Sequence, residues 1–281
     1  MDFNIQLGAE IERNVLAALS EDIGSGDLTA LLTPSQSARG IVITREDAVL
    51  CGTAWFDACF RRLDPTAKIE WSAGDGDFIT AGQTLCEIQA DTRALLTAER
   101  SALNFLQLLS GTATTTRLFV GAVSHTNAHI VDTRKTLPGL RLAQKYAVHC
   151  GGGYNHRIGL YDGILIKENH IIAAGGIRAA YAQAQKLAHG GVFIQVEVET
   201  LAELEEALAC GAKMLLLDNM NLDQMREAVK INAGRAKLEA SGGVRLDTVR
   251  GIADTGVDRI SIGGLTKDVR AIDLSLRHVE R

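Results

Sequence analysis

The sequence lacks the features that mark several classes of protein. Its five cysteines stand singly, at positions 51, 59, 86, 150 and 210, with no CxxC pair. This spacing argues against a disulfide framework or a zinc cluster and favours a reducing compartment. No basic segment followed by an apolar one stands at the start, so we expect no signal peptide. The sequence also contains no run of about 18 apolar residues, the length that a membrane-spanning helix needs.

An excess of positive charge is also missing. The 281 residues carry a formal net charge of −5, which disfavours non-specific binding to nucleic acid. Hydrophobic residues make up 46% of the chain, enough for a globular core. The length fits one large or two modest domains of about 150 residues each. We therefore expect a soluble, cytoplasmic protein with no nucleic-acid or membrane partner.

The N-terminal part mixes helices and short strands. Residues 68–90 read as a hairpin similar to that of biotinyl and lipoyl carrier domains, but its tip, Ile79 to Gly82, lacks the lysine that such carriers modify. We interpret this hairpin as scaffold. An amphipathic helix follows from Thr92 to about Leu109, and Gly111 is expected to end or bend it before a second helical segment.

From residue 128 onward, short apolar runs alternate with amphipathic helices. The runs are HIVD, GILIK, FIQVEVE, KMLLLD, AKLEAS and DRISIGG. Their ends are separated by about 21 to 35 residues, the size of a strand plus a crossover helix. Such strands predict a parallel sheet. Because only six runs are clear, we expect an incomplete (β/α) barrel rather than a full eight-stranded one.

The predicted fold class is therefore α/β with two domains. Residues 1–112 form an N-terminal α/β sandwich-like domain, joined by a C-terminal helix over residues 266–281. Residues 113–265 form an open parallel (β/α) barrel, which we expect to be the catalytic domain.

Each apolar run ends in a polar, charged or glycine position. These positions are Asp132 with Thr133, Arg134 and Lys135, then Lys167, Glu197, Asp218, Ser241 with Gly242 and Gly243, and Gly263 with Gly264. In parallel barrels the C-terminal strand ends gather on one face, and that face carries the chemistry. The last two positions are glycine turns that open toward helices, a setting that commonly binds phosphate.

The stretch from Asp132 to His170 holds six cationic and three anionic residues. Arg134 stands next to Lys135, and His156 next to Arg157. Guanidinium forks beside ammonium groups suit carboxylates and phosphates, whereas the alternative is a solvated basic loop. The strand-like segment that leads to Lys167 favours a binding site.

Six segments of the chain resemble, in this order, the quinolinate phosphoribosyltransferases, also called nicotinate-nucleotide pyrophosphorylases. They are DTRKTLPGLR, KYAVHCGGGYNHRIGLYDGILIKENHI, VEVET, LLLDN, LEASGG and SIGGLT. The likeness spans nearly the whole chain. It implies a glycosyltransferase of NAD biosynthesis that joins quinolinate to 5-phosphoribosyl-1-pyrophosphate and gives nicotinate mononucleotide, pyrophosphate and CO₂.

The resemblance also implies roles for individual residues. Arg100, Arg134, His156 and Arg157 would hold the two carboxylates of quinolinate, with Thr133 and Lys167 nearby. Lys135 and Lys167 would face the pyrophosphate. Glu197 and Asp218 would contact ribose hydroxyls directly or through Mg²⁺, the one expected cofactor, and Glu199 is the alternative to Glu197. The 5-phosphate would bind at the two turns formed by Ser241, Gly242 and Gly243 and by Ile262, Gly263 and Gly264.

The resemblance further implies a homodimer. Its segment ERSALNFLQ carries Arg100, which would reach into the neighbouring subunit's site, and a higher oligomer stays open. Two rival functions remain at this point. One is a barrel lyase that forms a Schiff base at Lys167, and the other is a related protein associated with molybdate transport. The signature of type I phosphoribosyltransferases is absent.

Overall fold

The computed structural model describes residues 3–279, with side chains from residue 7 onward. The chain folds into two compact units. Unit 1 contains the residues up to Arg117, the segment Thr136–Gly152 and the residues from Leu265 onward. Unit 2 contains Leu118–Lys135 and Gly153–Gly264.

The secondary structure alternates between helices and strands along most of the chain. In order, the elements are α1 (Phe3–Ile23), a 3₁₀ turn (Ala30–Leu32), β1 (Ser37–Thr44), β2 (Ala48–Val49), α2 (Thr53–Leu63), β3 (Lys68–Trp71), β4 (Phe78–Ile79), β5 (Thr84–Asp91), α3 (Thr92–Val123), β6 (His129–Val131), α4 (Arg141–Cys150), β7 (Gly163–Ile166), α5 (Glu168–Ala174), α6 (Ile177–Leu187), β8 (Phe193–Val198), α7 (Leu201–Ala209), β9 (Met214–Asp218), α8 (Leu222–Asn232), β10 (Lys237–Ser241), α9 (Val249–Ala253), β11 (Arg259–Ser261), α10 (Gly264–Lys267) and β12 (Leu274–Val279).

Unit 1 is built on a four-stranded antiparallel sheet in the order β12-β1-β5-β3. Its core contains an aromatic cluster: the rings of Phe56 and Phe60 lie 4.9 Å apart, and Trp71 meets Phe56 edge-on at 5.3 Å. Trp55 is fully buried, and its indole N–H donates a hydrogen bond to Asn14. Such rings contribute large buried apolar areas, which stabilise a sheet with one covered face.

The predicted C-terminal helix over residues 266–281 was wrong. Within this range α10 ends at Lys267, and the chain then forms β12, which pairs antiparallel with β1 from Thr44↔Leu274 to Arg39↔Val279. The sequence LSLRHV explains the difference, because Leu274 and Leu276 alternate with polar residues at the period of two that suits a half-buried strand.

The expected break at Gly111 was also wrong, because α3 runs on without interruption to Val123. A Cβ at position 111 would overlap the backbone carbonyl oxygen of Arg270. The glycine therefore lets another segment of unit 1 approach the helix closely. The second predicted helical segment is the continuation of this same helix.

Unit 2 is a parallel sheet of six strands in the order β6-β11-β10-β9-β8-β7, which confirms the predicted α/β fold with a parallel-stranded second part. Every one of the six apolar runs forms a strand. The first two strands in sequence, β6 and β7, stand at opposite edges and do not pair with each other. The sheet is therefore open, as expected from six strands.

The two faces of this sheet differ in chemistry because neighbouring residues alternate between them. One face is apolar and buried, and carries Val196, Val198, Leu215, Leu217, Leu238, Ala240 and Ile260. The other face carries Gln195, Glu197, Leu216, Asp218, Glu239, Ser241 and Arg259. The helices α6 and α7 pack on β8. Polar side chains therefore concentrate on a single face.

In the part of the chain that the structure describes, no helix combines the length and the apolar character needed to cross a membrane. All five cysteines are free thiols, and Cys51, Cys59 and Cys86 are buried.

Candidate active site

The strand register of unit 2 brings the predicted site residues together at one end of the sheet. Ser241 pairs with Asp218 across β10 and β9. The pairing of Ile166 with Val196 places Lys167 beside Glu197, where the Lys167 Nζ lies 3.2 Å from a Glu197 carboxylate oxygen. Lys167 is half exposed, whereas Glu197 is largely covered. The side-chain nitrogen of Lys167 therefore faces a carboxylate at this end of the sheet.

Carboxylates form an acidic side of this rim, next to β7, β8 and β9. The pKa of Glu199 is raised, first by the negative charge of Glu168 and also by those of Glu203, Asp218 and Glu197. Glu199 itself is exposed in the loop after β8, and its backbone N–H donates to Glu203 at 2.7 Å. Glu197 is the one in direct contact with Lys167. The geometry therefore favours Glu197 over Glu199 as the sugar-facing residue, a role that stays a prediction.

Asn219 is a rim residue that the sequence reasoning missed. Its side-chain amide donates to the Asp218 carboxylate at 2.8 Å, and its backbone N–H donates to the carbonyl of Ser241 at 3.0 Å. Its φ of 53° is in the left-handed region that asparagine tolerates better than most residues. A Cβ at Gly242 would overlap the Asn219 side chain. Asn219 therefore orients Asp218 and requires glycine beside it.

At the edge of the sheet formed by β6, the buried carboxylate of Asp132 holds the loop that carries His156 and Arg157, two residues predicted to bind the substrate. It accepts hydrogen bonds from the backbone N–H of His156 at 2.8 Å and from the side chain of Asn155 at 2.7 Å. Tyr154 in turn bridges to Val131 at the end of β6. Asp132 is thus a structural ligand of this loop, and the residue-by-residue prediction had not assigned it a role.

Arg157 leaves this loop next to Arg134. Its Nη1 donates to the carbonyl oxygen of Gly163 at 3.0 Å. Burial lowers the pKa of Arg157, the positive charge of Arg134 lowers it further, and Asp162 opposes the change. Two guanidinium groups near each other at a partly covered position form a cationic side of the rim, suited to carboxylates.

His156 is buried, and both of its ring nitrogens have protein partners. Nδ1 accepts the backbone N–H of Arg157 at 2.7 Å, and Nε2 lies 2.9 Å from the side-chain oxygen of Gln195 and 3.6 Å from Glu239. The ring also meets Phe193 edge-on at 5.6 Å. These contacts place His156 beneath the loop as a support for it. Direct contact of His156 with a carboxylate of the substrate stays a prediction.

Lys135 and Thr133 lie next to the turn after β11. The backbone N–H of Lys135 donates to the Thr133 hydroxyl at 3.0 Å. A Cβ at Gly263 would lie 3.1 Å from Lys135 Cδ and 3.6 Å from Thr133 Oγ1, so both side chains pack on the glycine backbone. The ends of β6 and β11 therefore contribute to one surface, and an exposed Lys135 ammonium stands beside a glycine turn.

The two glycine turns follow the neighbouring strands β10 and β11. Gly242 and Gly243 have φ values of 108° and 57°, which side chains rarely adopt. The N–H of Ile262 donates to the carbonyl of Val131 and is used within the sheet. The helices that follow, α9 and α10, have only five and four residues. Phosphate binding at these turns stays a prediction.

Arg100 lies in unit 1, on the exposed side of α3. Its predicted contact with the site of a neighbouring subunit stays a prediction. The candidate metal contacts also remain predictions. Among the described residues, the compact group able to hold a metal is Cys51, Asp75 and Cys150 of unit 1, and Glu197 and Asp218 are not part of such a group.

Comparisons with known proteins agree with this geometry. Family models described as quinolinate phosphoribosyl transferase, N-terminal and C-terminal domains, match residues 27–110 and 112–277. A probable nicotinate-nucleotide pyrophosphorylase [carboxylating] of Bacillus subtilis is 42% identical over 257 residues, covering 91% of this chain and 89% of that protein. A quinolinate phosphoribosyltransferase [decarboxylating] of Nicotiana tabacum is 40% identical over 284 residues, covering 92% of this chain and 80% of its own length.

Solved structures give the same result. The nicotinate-nucleotide pyrophosphorylase from Francisella tularensis superposes with a TM-score of 0.94 at 45% identity, covering 96% of each chain. The one from Ehrlichia chaffeensis has a TM-score of 0.91 at 39% identity, covering 95% of this chain and 98% of that one.

Proposed function

The chain belongs to the quinolinate phosphoribosyltransferase family, and from this we infer that it is a phosphoribosyltransferase of NAD biosynthesis. Its substrates are quinolinate and 5-phosphoribosyl-1-pyrophosphate, and its products are nicotinate mononucleotide, pyrophosphate and CO₂. The word carboxylating in the name of the Bacillus subtilis relative describes the same reaction in reverse.

The observation that carries this proposal is the separation of charge along the rim of unit 2. Arg134 and Arg157 stand close enough for one positive charge to lower the pKa of the other. Glu197 and Asp218, on β8 and β9, belong to the group of negative charges that raises the pKa of Glu199. A flat dianion fits the cationic side, and the ribose, whose C1 becomes positive during the reaction, fits the acidic side.

We assign the first chemical step to this arrangement. The lone pair of the pyridine nitrogen forms a bond to ribose C1 while the bond from C1 to the pyrophosphate oxygen breaks, and pyrophosphate leaves with that electron pair. Lys135 and Lys167 carry the positive charges that would stabilise the leaving group, and Glu197 and Asp218 would stabilise the developing positive charge at C1. The glycine turns after β10 and β11 would hold the 5-phosphate through backbone N–H groups.

In the second step, the bond between ring C2 and its carboxylate breaks and CO₂ leaves. The electron pair stays on C2, next to a ring nitrogen that is now positively charged, and C2 then takes up a proton. The substrate therefore provides its own electron sink. The protein needs only to hold the ring, for which Arg134, Arg157, His156 and Thr133 are the candidates.

Mg²⁺ fits this site as a companion of the pyrophosphate substrate. Glu197 and Asp218 offer the carboxylate oxygens that Mg²⁺ prefers, and the ion would neutralise phosphate charge. Asp218 already accepts a hydrogen bond from Asn219, and Glu197 pairs with Lys167. This occupation favours contact through water or through ribose hydroxyls rather than direct coordination by several carboxylates.

We also propose a homodimer in which Arg100 completes the neighbouring subunit's site, with higher oligomers left open. The exposed position of Arg100 on α3 supports this assignment. We further place the enzyme in the cytoplasm, since five free thiols suit a reducing compartment.

Release of labelled CO₂ tests the proposed function. Quinolinate labelled in its 2-carboxylate is incubated with the protein and 5-phosphoribosyl-1-pyrophosphate, and we expect equal amounts of labelled CO₂ and nicotinate mononucleotide. Chelation of Mg²⁺ is expected to abolish both products. Nicotinate, which lacks the 2-carboxylate, serves as the control substrate. Absence of both products from quinolinate, or trapping of a carbonyl substrate on Lys167 by borohydride, would contradict the proposal.

A further inference from the structure

A pair of opposite charges lies inside unit 2, below the rim that binds substrate. Glu239 on β10 is only 1% exposed, and Arg259 pairs with it directly across the strands. Arg259 Nε lies 3.2 Å from one carboxylate oxygen of Glu239, and His156 Nε2 lies 3.6 Å from the other. No role in the proposed reaction has been given to Glu239 or Arg259.

Stability does not explain this pair. Removing the Glu239 carboxylate from water costs several kcal/mol, and its attraction to the partly buried Arg259 roughly offsets that cost. A buried ion pair can often be replaced by apolar side chains with no loss of stability. On the same strand, Leu238 and Ala240 fill the apolar face, so an acidic residue between them points to a different task.

The hydrogen bonds of His156 indicate what that task is. Because Nδ1 accepts the backbone N–H of Arg157, the ring proton must be on Nε2. Nε2 lies 2.9 Å from the side-chain oxygen of Gln195, its hydrogen-bond acceptor, and a carboxylate oxygen of Glu239 lies 3.6 Å from Nε2 without accepting a hydrogen bond. The negative charge of Glu239 lies on the side of the ring that carries this proton and so favours the Nε2–H tautomer, while Arg259 is the counter-ion of Glu239. The same division of labour orients histidine ligands in metal sites.

Arg157 depends on this tautomer. Its backbone is held from one side by His156 Nδ1, and its guanidinium by the carbonyl of Gly163. A proton on Nδ1 would face the N–H of Arg157 and break the first contact. The loop would then shift, and Arg157 would no longer stand beside Arg134.

We propose that Glu239 is a positioning residue for recognition of the aromatic dicarboxylate: with Arg259 as its counter-ion, it fixes His156 in the tautomer that holds Arg157 in place. This inference rests on the proposed function for the identity of the substrate. The tautomer of His156 can be measured without any substrate. The two ideas can therefore fail separately.

The substitution Glu239→Gln tests the inference, because it keeps the volume but replaces a carboxylate oxygen with an N–H donor aimed at His156. We expect the KM for quinolinate to rise at least about tenfold, which corresponds to about 1.4 kcal/mol. The KM for 5-phosphoribosyl-1-pyrophosphate is expected to stay within about twofold, since Glu239 does not contact the acidic side of the rim. In ¹⁵N spectra, His156 should shift from the Nε2–H form toward the Nδ1–H form.

Lys237→Gln is the matched control. Lys237 lies on the same strand and forms an ion pair with Asp258 at 2.7 Å, but it is 69% exposed. Its loss is expected to leave both KM values and the His156 spectrum unchanged. A double variant provides a further check: when Arg157→Ala is already present, Glu239→Gln should raise the KM for quinolinate no further, because the residue it positions is gone.

Three kinetic results would each overturn the inference: an unchanged KM for quinolinate in Glu239→Gln, an equal rise in both KM values, or full additivity with Arg157→Ala. An unchanged His156 spectrum would also overturn it. In a separate case, the wild-type protein does not convert quinolinate while the His156 tautomer shifts in Glu239→Gln as expected. That result would support the positioning of His156 and contradict the assigned substrate.

Discussion

At the scale of single residues, Arg134 lies close enough to Arg157 for its positive charge to affect the pKa of Arg157. Burial and the charge of Arg134 both lower the pKa of Arg157. An anion placed between the two groups counters this effect and accepts hydrogen bonds from both. If a dicarboxylate binds between these two groups, as proposed, Arg157 is a sensitive position for substitution.

Replacing Arg157 by alanine is expected to raise the KM for quinolinate about 30- to 140-fold. A hydrogen bond to a charged group contributes about 2–3 kcal/mol, and each 1.4 kcal/mol is a factor of ten. Steady-state kinetics with varied quinolinate measures the effect. Arg178→Ala, an exposed arginine on α6, is the control and should leave the KM unchanged. A wild-type KM in Arg157→Ala would remove this residue from the site.

The sequence allowed some of these residues to be predicted and others not. Lys167, Glu197 and Asp218 could be predicted because each stands at the end of an apolar run, and parallel strands bring these ends together. Asn219 and Gln195 were missed because each contacts a residue far away in the sequence, Ser241 and His156 respectively, and such contacts are not readable from one strand. Glu239 did leave a signal: it stands two residues before Ser241, on the same face, between the apolar residues Leu238 and Ala240.

At the scale of secondary structure, α3 shows how a glycine can serve packing within a helix. Gly111 allows the carbonyl of Arg270 to reach the helix surface, whereas Gly121 of the same helix has open space around it. A local pattern cannot distinguish the two, since a glycine inside a helical sequence usually signals an end or a bend. The expected break at Gly111 failed for this reason.

Replacing each of the two glycines by alanine is expected to change the free energy of unfolding in opposite directions. Gly111→Ala is expected to lower the free energy of unfolding by about 2 kcal/mol or more, because the backbone of residues 270–271 must move. Gly121→Ala is expected to raise it by up to about 1 kcal/mol, from the better helix propensity of alanine. Urea unfolding followed by circular dichroism compares the two variants with the wild type. Equal changes in the free energy of unfolding would show that the close approach of the backbone at Gly111 does not affect stability.

The C-terminal strand is a second case in which distant pairing decided the structure. The pairing of Arg39 with Val279 joins residues from opposite ends of the sequence. Six residues of alternating pattern are too few to indicate a strand by themselves, and the partner strand supplies the rest of the signal. Local reasoning therefore identified the repeated strands of unit 2 more reliably than this isolated one.

At the scale of the whole molecule, the division into units follows contacts that the sequence does not display. The segment Thr136–Gly152 lies between two parts of unit 2 in sequence but belongs to unit 1. Its helix α4 places Ala143 and Ala147 in the same core as Trp55, and the side chain of Asn14 donates to the carbonyl of Gly139. A domain boundary set by sequence position alone could not include this segment.

The proposed dimer predicts complementation between two inactive variants. Arg100→Ala and Lys167→Ala are each expected to lose nearly all activity. If Arg100 serves the neighbouring subunit, a mixed dimer contains one intact site, so equal co-expression should restore about a quarter of wild-type activity. Separately purified and unmixed variants are the control. No recovery in confirmed mixed dimers would mean that Arg100 does not act across subunits.

Along β8, β9 and β10, alternate residues face the helices or the polar face of the sheet, so substitutions at these two sets of positions have different effects. Substitutions that alter how the sheet meets its helices fall at one parity of the sequence, and those that alter ligand preference fall at the other. A descendant of this chain could therefore acquire a new substrate through changes at every second position, while the positions between them continue to specify the same scaffold.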